Sequence, residues 1–226
     1  MIKAIIFDFD GLILETEQPC YQAWQEIYQA HGGDLDFESY ILTIGSSLDH
    51  FDPYEHLERT IGHAVDRESI RTLRRQRHLE LTETQPILPG VVEYLKEAKT
   101  LGLKIALASS SSREWVVGHL TRLGLIDYFD TLKTADDVSR TKPEPDLYLA
   151  VLDSLKIKPG EALVLEDSPN GILAANRAGI FSVAIPSLMT KTLNFDHADL
   201  AIGSLAELPL NKLLLEVQNK REAAAN

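Results

Sequence analysis

One cysteine, Cys20, occurs among the 226 residues, and a single thiol excludes both an internal disulfide and a cysteine-rich zinc site. Positive charge is scarce as well: 22 Lys and Arg stand against 34 Asp and Glu, a formal net charge of −12. Nucleic-acid backbones and anionic membranes are held by Lys and Arg, so this balance argues against either as a partner. A small anionic substrate is still allowed, because a local pocket can oppose the global field. No apolar run approaches the roughly 20 residues of a membrane-spanning helix. The apolar start, residues 1–7, is too short for the core of a signal peptide and runs straight into Asp8. With the lone thiol, this sets the expectation of a reducing, cytoplasmic location. Low-complexity tracts and repeats of fixed period are missing too. What remains is ordinary globular composition, 44% hydrophobic and 25% charged, with enough chain for one or two domains and a sizeable core.

Short runs rich in Ile, Val, Leu and Ala recur at residues 4–9, 103–108, 162–165, 181–185 and 199–202. Each has strand length and little polar alternation, as strands do when a parallel sheet buries both faces. Helix-period stretches lie between them. Residues 91–101 end at Gly102, residues 113–123 at Gly124 and residues 169–178 at Gly179, each a C-cap signal. Residues 145–155 follow a Pro-rich loop, and Ser168-Pro169 places an N-cap Ser before a first-turn Pro. A final helix is expected over 213–226. The alternation predicts a doubly wound α/β, Rossmann-like sheet with right-handed crossovers. Residues 16–86 break it. Helical spacing over 17–31 (Cys20, Ala23, Trp24, Ile27, Tyr28) and over 67–83 (Ile70, Leu73, Leu81) reads as a mostly helical insertion after the first strand. The expected division is therefore a core of 1–15 and 87–226 with a helical cap of 16–86. That cap is either a lid on two hinges or a second structural domain.

Ligands of open parallel sheets sit beyond the carboxyl ends of the strands. There the chain places Asp8, Asp10 and Gly11 after the first strand and Ser109 to Ser112 after the second. Lys142 stands in a later loop, and Glu166, Asp167 and Ser168 follow the strand starting at Ala162. Four carboxylates in one place repel strongly unless a hard divalent cation joins them, and oxygen ligands suit Mg²⁺. Lys142 and Ser109 can take the charge of a phosphate, and Gly11 lets backbone pass close to the anion. Read singly, these features have plainer explanations. Ser112 can cap the helix that follows it, Lys142 can be a surface lysine, and Glu166-Asp167 a capping pair. Trp24 and Trp115 read as helix core residues.

Taken in order, the segments Phe7-Asp8-Phe9-Asp10-Gly11 with Thr16, Leu107 to Ser111, Lys142-Pro143-Glu144-Pro145-Asp146 and Leu165 to Gly171 resemble the four-motif signature of the haloacid dehalogenase-like hydrolases. The helical insertion is similar to the alpha-helical cap class, in the branch of β-phosphoglucomutase and sugar-phosphate phosphatases. The resemblance implies that Asp8 is the nucleophile that becomes an aspartyl-phosphate. It implies that Asp10 is the acid for the leaving alcohol and then the base for water. Ser109, its neighbour Ser110, Gly11 and Lys142 would hold the phosphoryl group. Asp167 with Glu166, the Asp8 side chain and the Asp10 carbonyl would hold Mg²⁺. Asp10 points to oxygen leaving groups, since dehalogenases generally lack that second acid.

The same resemblance separates two reactions. Mutases of this branch carry a His four residues before the Trp that is Trp24 here, where this chain has Cys20. They also carry an Arg in the loop that reads Ile44 to His50 here. Both departures favour a phosphatase acting on a small phosphorylated metabolite, a phosphosugar mutase being the alternative. A phospho-accepting signalling module is the non-enzymatic alternative, although such modules are shorter and lack the inserted lid. Ser46, Ser47, His50 and the basic run Arg71, Arg74, Arg75 and Arg77 are candidates for substrate choice. The arginines otherwise form a solvated face paired with Glu68 and Glu80. A monomer is expected.

Overall fold

The structure is a computed structural model and describes residues 1–41 and 51–225. It divides into two compact units: Met1–Leu14 with Ile87–Asn226, and Glu15–Pro86.

The larger unit is the doubly wound sheet expected from the sequence. The strands are β1 (Ala4–Phe7), β2 (Lys104–Ala108), β3 (Thr131–Lys133), β4 (Ala162–Glu166), β5 (Phe181–Ala184) and β6 (Leu200–Ala201). All pair in parallel, in the order β3-β2-β1-β4-β5-β6. The chain adds β2 and β3 on one side of β1 and then crosses to add β4 on the other. β1 therefore lies at the topological switch point, where such sheets open a crevice at the strand ends. Phe7 is in register with Leu107 on one side and Leu165 on the other. The residues that follow these three emerge side by side.

Alternation along the strands sorts the two faces. Ile5, Phe7, Ile105, Leu107, Leu163 and Leu165 pack with α5 (Val91–Thr100), α6 (Arg113–Arg122) and α9 (Leu210–Ala225). Ile6, Ala106, Ala108, Ala162 and Val164 pack with α7 (Asp146–Leu155) and α8 (Pro169–Arg177). Alanines dominate the second face, which lets α7 and α8 lie close to the sheet. Ser112 caps α6 by accepting the Trp115 N–H at 3.3 Å, and Ser168 caps α8 by accepting the Gly171 N–H at 3.1 Å. β3 has no counterpart among the strands read from the sequence. It is a three-residue edge strand with Thr and Lys at its ends, too short and too polar to stand out by hydrophobicity.

The smaller unit contains α1 (Glu17–Ala30), α2 (Phe37–Ile41), α3 (Pro53–Ile61) and α4 (Arg67–Glu83). Glu15 belongs to it because its carboxylate accepts the N–H groups of Glu17 and Gln18 at 3.0 and 3.1 Å, capping α1. α3 begins with Asp52 accepting the Tyr54 N–H and ends at Gly62 with φ +82°. On α4, Ile70 is buried, but Leu73, expected on the same apolar side, is 56% exposed. Arg71 pairs with Glu68, and Arg77 bridges Glu26 and Glu80, as a solvated basic face requires. Arg74 instead donates to Cys20 Sγ at 3.5 Å and lies over the Trp24 ring. Burial pushes the Cys20 thiol pKa up, which disfavours the nucleophilic thiolate. Ser46, Ser47 and His50 lie outside the described residues. Among the described residues no helix is long and apolar enough to cross a membrane.

Candidate active site

β1 ends at Phe7, and the Asp8 N–H extends the ladder by one bond to the Leu165 carbonyl at 3.0 Å. Asp8 therefore leaves the sheet beside the end of β4, where Glu166 and Asp167 follow. One carboxylate oxygen from each of Asp8, Glu166 and Asp167 lies within 4.8 Å of the others, and all three residues are buried. Lys142 reaches the same point from the loop before α7, with its side chain only 6% exposed. Its ammonium donates to Asp8 Oδ1 at 2.5 Å, to Glu166 Oε1 at 2.5 Å and to the Ala108 carbonyl at 2.8 Å. Three protons thus meet three acceptors, and no donor capacity is left over. The surface-lysine reading of Lys142 does not hold.

The charges do not balance. Three carboxylates face one ammonium, an excess of two negative charges if all are ionised. Burial, reinforced by Glu166, pushes the Asp8 carboxyl up to about 8 despite the opposing Lys142. For Lys142, burial works against the charged form, yet Asp8 and Glu166 outweigh it and hold the ammonium above its ordinary value. Hard oxygen donors with a surplus of two charges fit a divalent cation.

Two glycines make room for this arrangement. Gly11 has φ +77°, and a Cβ there would lie 2.0 Å from Asp167 Oδ2. A Cβ on Gly171 would lie 1.9 Å from the Glu166 carboxyl carbon. Sequence reasoning assigned Gly11 to the approach of a bound anion. In the structure its missing side chain leaves space for a carboxylate of the protein itself.

Asp10 stands apart from the acidic triad in its bonding. Its Oδ2 accepts from Ser111 Oγ at 2.7 Å and from Ser109 Oγ at 3.3 Å, and its Oδ1 accepts the Trp115 indole N–H at 3.0 Å. Ser109 is fully buried and also accepts the Ser111 N–H at 3.0 Å, whereas Ser110 is exposed. Trp115 is therefore more than a helix core residue. It is half-buried, packs against the core, and ends on a carboxylate of the site. The clue was positional: the first turn of α6 follows the serine run at the end of β2. Tyr148 was also overlooked. Its buried hydroxyl donates to Glu166 Oε1 at 2.5 Å, and Lys142 lies over its ring. With Ser168 donating to Oε2, Glu166 is held at both oxygens.

The family model for haloacid dehalogenase-like hydrolases matches residues 5–185. The chain is 47% identical over 214 residues to "Putative phosphatase YhcW" of Bacillus subtilis, covering 95% of this chain and 97% of the relative. It is 31% identical to the phosphorylated carbohydrates phosphatase of Thermotoga maritima, over 94% of this chain and 97% of that one. The crystal structure of CbbY from Rhodobacter sphaeroides in complex with phosphate superposes with a TM-score of 0.73 at 31% identity. It covers 94% of this chain and 99% of its own.

The two glycine environments give a paired prediction. Gly11 and Gly102 both have positive φ, but a Cβ on Gly102 would meet nothing within 4 Å. Gly11→Ala and Gly102→Ala should each cost about 1–2 kcal/mol in thermal unfolding from backbone strain. Only Gly11→Ala should also lose activity, by at least about tenfold in steady-state assays, because it displaces Asp167.

Proposed function

The chain belongs to the haloacid dehalogenase-like hydrolase family, and from that premise we propose that it is a Mg²⁺-dependent phosphatase of a small phosphorylated carbohydrate, working through an aspartyl-phosphate on Asp8. The observation that carries this reading is the buried contact of Lys142 with Asp8 and Glu166 beside Asp167. It supports the reading because an ionisable carboxylate held there can have both its own charge and that of an incoming phosphoryl group neutralised. Phosphoryl transfer asks for little else beyond positioning.

An oxygen of Asp8 attacks phosphorus as the bond to the leaving alcohol breaks. Asp10 donates its proton to that alcohol oxygen. Asp10 then takes a proton from a water, whose oxygen attacks phosphorus and expels the Asp8 carboxylate, giving inorganic phosphate. Ser109 and the backbone at Gly11 donate to the phosphoryl oxygens, with exposed Ser110 as a further donor at the same loop, and Lys142 exchanges its bond to Asp8 for one to a phosphoryl oxygen once Asp8 carries the group. Asp8, Asp167 and Glu166, with the Asp10 carbonyl, are the residues that would hold the cation, and Glu166 anchors Lys142 at the same time. When bound, Mg²⁺ lowers the repulsion between the phosphoryl oxygens and the acid cluster. The carbohydrate class rests on the similarity to the phosphorylated carbohydrates phosphatase.

Product analysis tests the reaction. With β-glucose 1-phosphate or other sugar phosphates and Mg²⁺, free phosphate should appear without an isomeric sugar phosphate, and Asp8→Asn should lower the rate by at least about 1000-fold. Glucose 6-phosphate forming faster than phosphate would make the chain a mutase. Full activity in Asp8→Asn would remove Asp8 from the chemistry.

The raised Asp8 carboxyl yields a second prediction. Without cation, the folded protein keeps the Asp8 proton up to about pH 8, whereas the unfolded chain releases it near the ordinary value of 3.8. This proton's contribution to stability is complete below that ordinary value and is lost as pH rises through about 8. A cation competes with the same proton. In thermal melts of chelator-treated protein, added Mg²⁺ should therefore raise the melting temperature more at about pH 9 than at about pH 6. An equal rise at both would contradict the assignment of Asp8 as a ligand.

A further inference from the structure

The described geometry gives Asp10 a partner that the reaction scheme does not require. The Trp115 indole donates its N–H to Asp10 Oδ1 at 3.0 Å, on the oxygen opposite the one held by Ser111 and Ser109. The indole is itself fixed. Its own backbone N–H is tied to the Ser112 cap at 3.3 Å. Its ring meets His119 edge to face at 4.3 Å between centroids, and the buried His119 stacks at 6.2 Å on Phe9. Phe9 is fully buried between Asp8 and Asp10 in the chain. A column of three rings therefore links the backbone that carries both acids to the side chain that grips one of them.

An indole nitrogen donates and never accepts, so Trp115 can neither compete for a proton nor relay one. What it can do is fix direction. A carboxylate on a short side chain rotates freely unless both oxygens are held, and an acid–base group works only within hydrogen-bond reach of its target. A misplacement of about 1 Å can cost about 100-fold in rate. We infer that Trp115 is a positioning residue for Asp10, holding its carboxylate in the orientation from which it serves the leaving oxygen and then the water. The inference rests on the acid–base role proposed for Asp10 and adds to it a residue that acts through Asp10. Trp115 serves this role because it is rigid: two torsions, a large packed ring and one donor.

Trp115→Phe removes the N–H and keeps an aromatic ring against His119. The test compares it with the native enzyme and with Asp10→Asn on two esters, glucose 6-phosphate and p-nitrophenyl phosphate. The nitrophenolate leaves without a proton, so kcat/KM for that ester is insensitive to the acid. Trp115→Phe should lose about 10- to 100-fold in kcat/KM on the sugar phosphate. That loss should lie in kcat, with KM little changed and the loss on the nitrophenyl ester below about threefold. Asp10→Asn should show the same selectivity with a larger loss. Equal losses of Trp115→Phe on both esters, or none on either, would overturn the inference while leaving the Asp10 role intact. A non-selective Asp10→Asn would instead overturn the acid–base reading, and the inference with it. Should Trp115→Phe fail to fold, a benzothiophene analogue of tryptophan at position 115 keeps the bicyclic shape, lacks only the N–H, and answers the same comparison.

Discussion

Three carboxylates are buried together, and one ammonium pairs with two of them. That is the constraint on which the rest of the site depends. Two like charges about 4 Å apart cost about 4 kcal/mol at an intermediate effective dielectric, and Asp8, Glu166 and Asp167 bring three into such a range. Lys142 offsets part of this by giving each of its protons a partner: Asp8, Glu166 and the Ala108 carbonyl. The remainder, together with burial, pushes the Asp8 carboxyl well above its ordinary range.

The fold supplies this cluster from rigid parts. Asp8 and Glu166 leave adjacent parallel strands in register, so their proximity is set by backbone hydrogen bonds and not by side-chain flexibility. Tyr148 on α7 and Ser168 at the start of α8 hold Glu166 from two directions, and Glu166 in turn holds Lys142. The absent side chains of Gly11 and Gly171 leave the carboxylates the volume they occupy. On the other side of Asp8, the serines after β2 and the first turn of α6 hold Asp10. The two acids of one short segment are therefore embedded in different surroundings. Asp8 bonds a charged ammonium, and Asp10 accepts from two serine hydroxyls and an indole. Such separation of environments is how neighbouring carboxylates acquire different tasks.

Much of this was legible in the sequence because parallel strands write a plain signal. Buried on both faces, they read as continuous apolar runs, and their ends follow at once, so Asp8, Ser109 and Glu166 could be placed at one edge before any coordinates. The N-caps Ser112 and Ser168 were legible for the same reason, being local. β3 was not, because Thr131-Leu132-Lys133 is half-buried at an edge and carries one apolar side chain. α3 was passed over although Asp52-Pro53 and Gly62 mark its two ends. A nine-residue helix is too short to write a sustained apolar stripe. Leu73 shows the opposite error, an apolar residue at helical spacing that faces outward. Trp115 and Tyr148 were missed because each looks like core in one dimension. Only the fold reveals that their polar tips end on Asp10 and Glu166.

The central claim is that Asp8 itself carries the phosphoryl group. Quenching the enzyme during turnover and reducing it with borohydride converts an acyl phosphate on an aspartate to homoserine. Peptide mass spectrometry then locates the change. The account predicts homoserine at position 8, only when a phosphorylated substrate and Mg²⁺ are both present, and at no other aspartate. Its appearance at Asp10 or Asp167, or hydrolysis at full rate with no aspartate ever trapped, would contradict it.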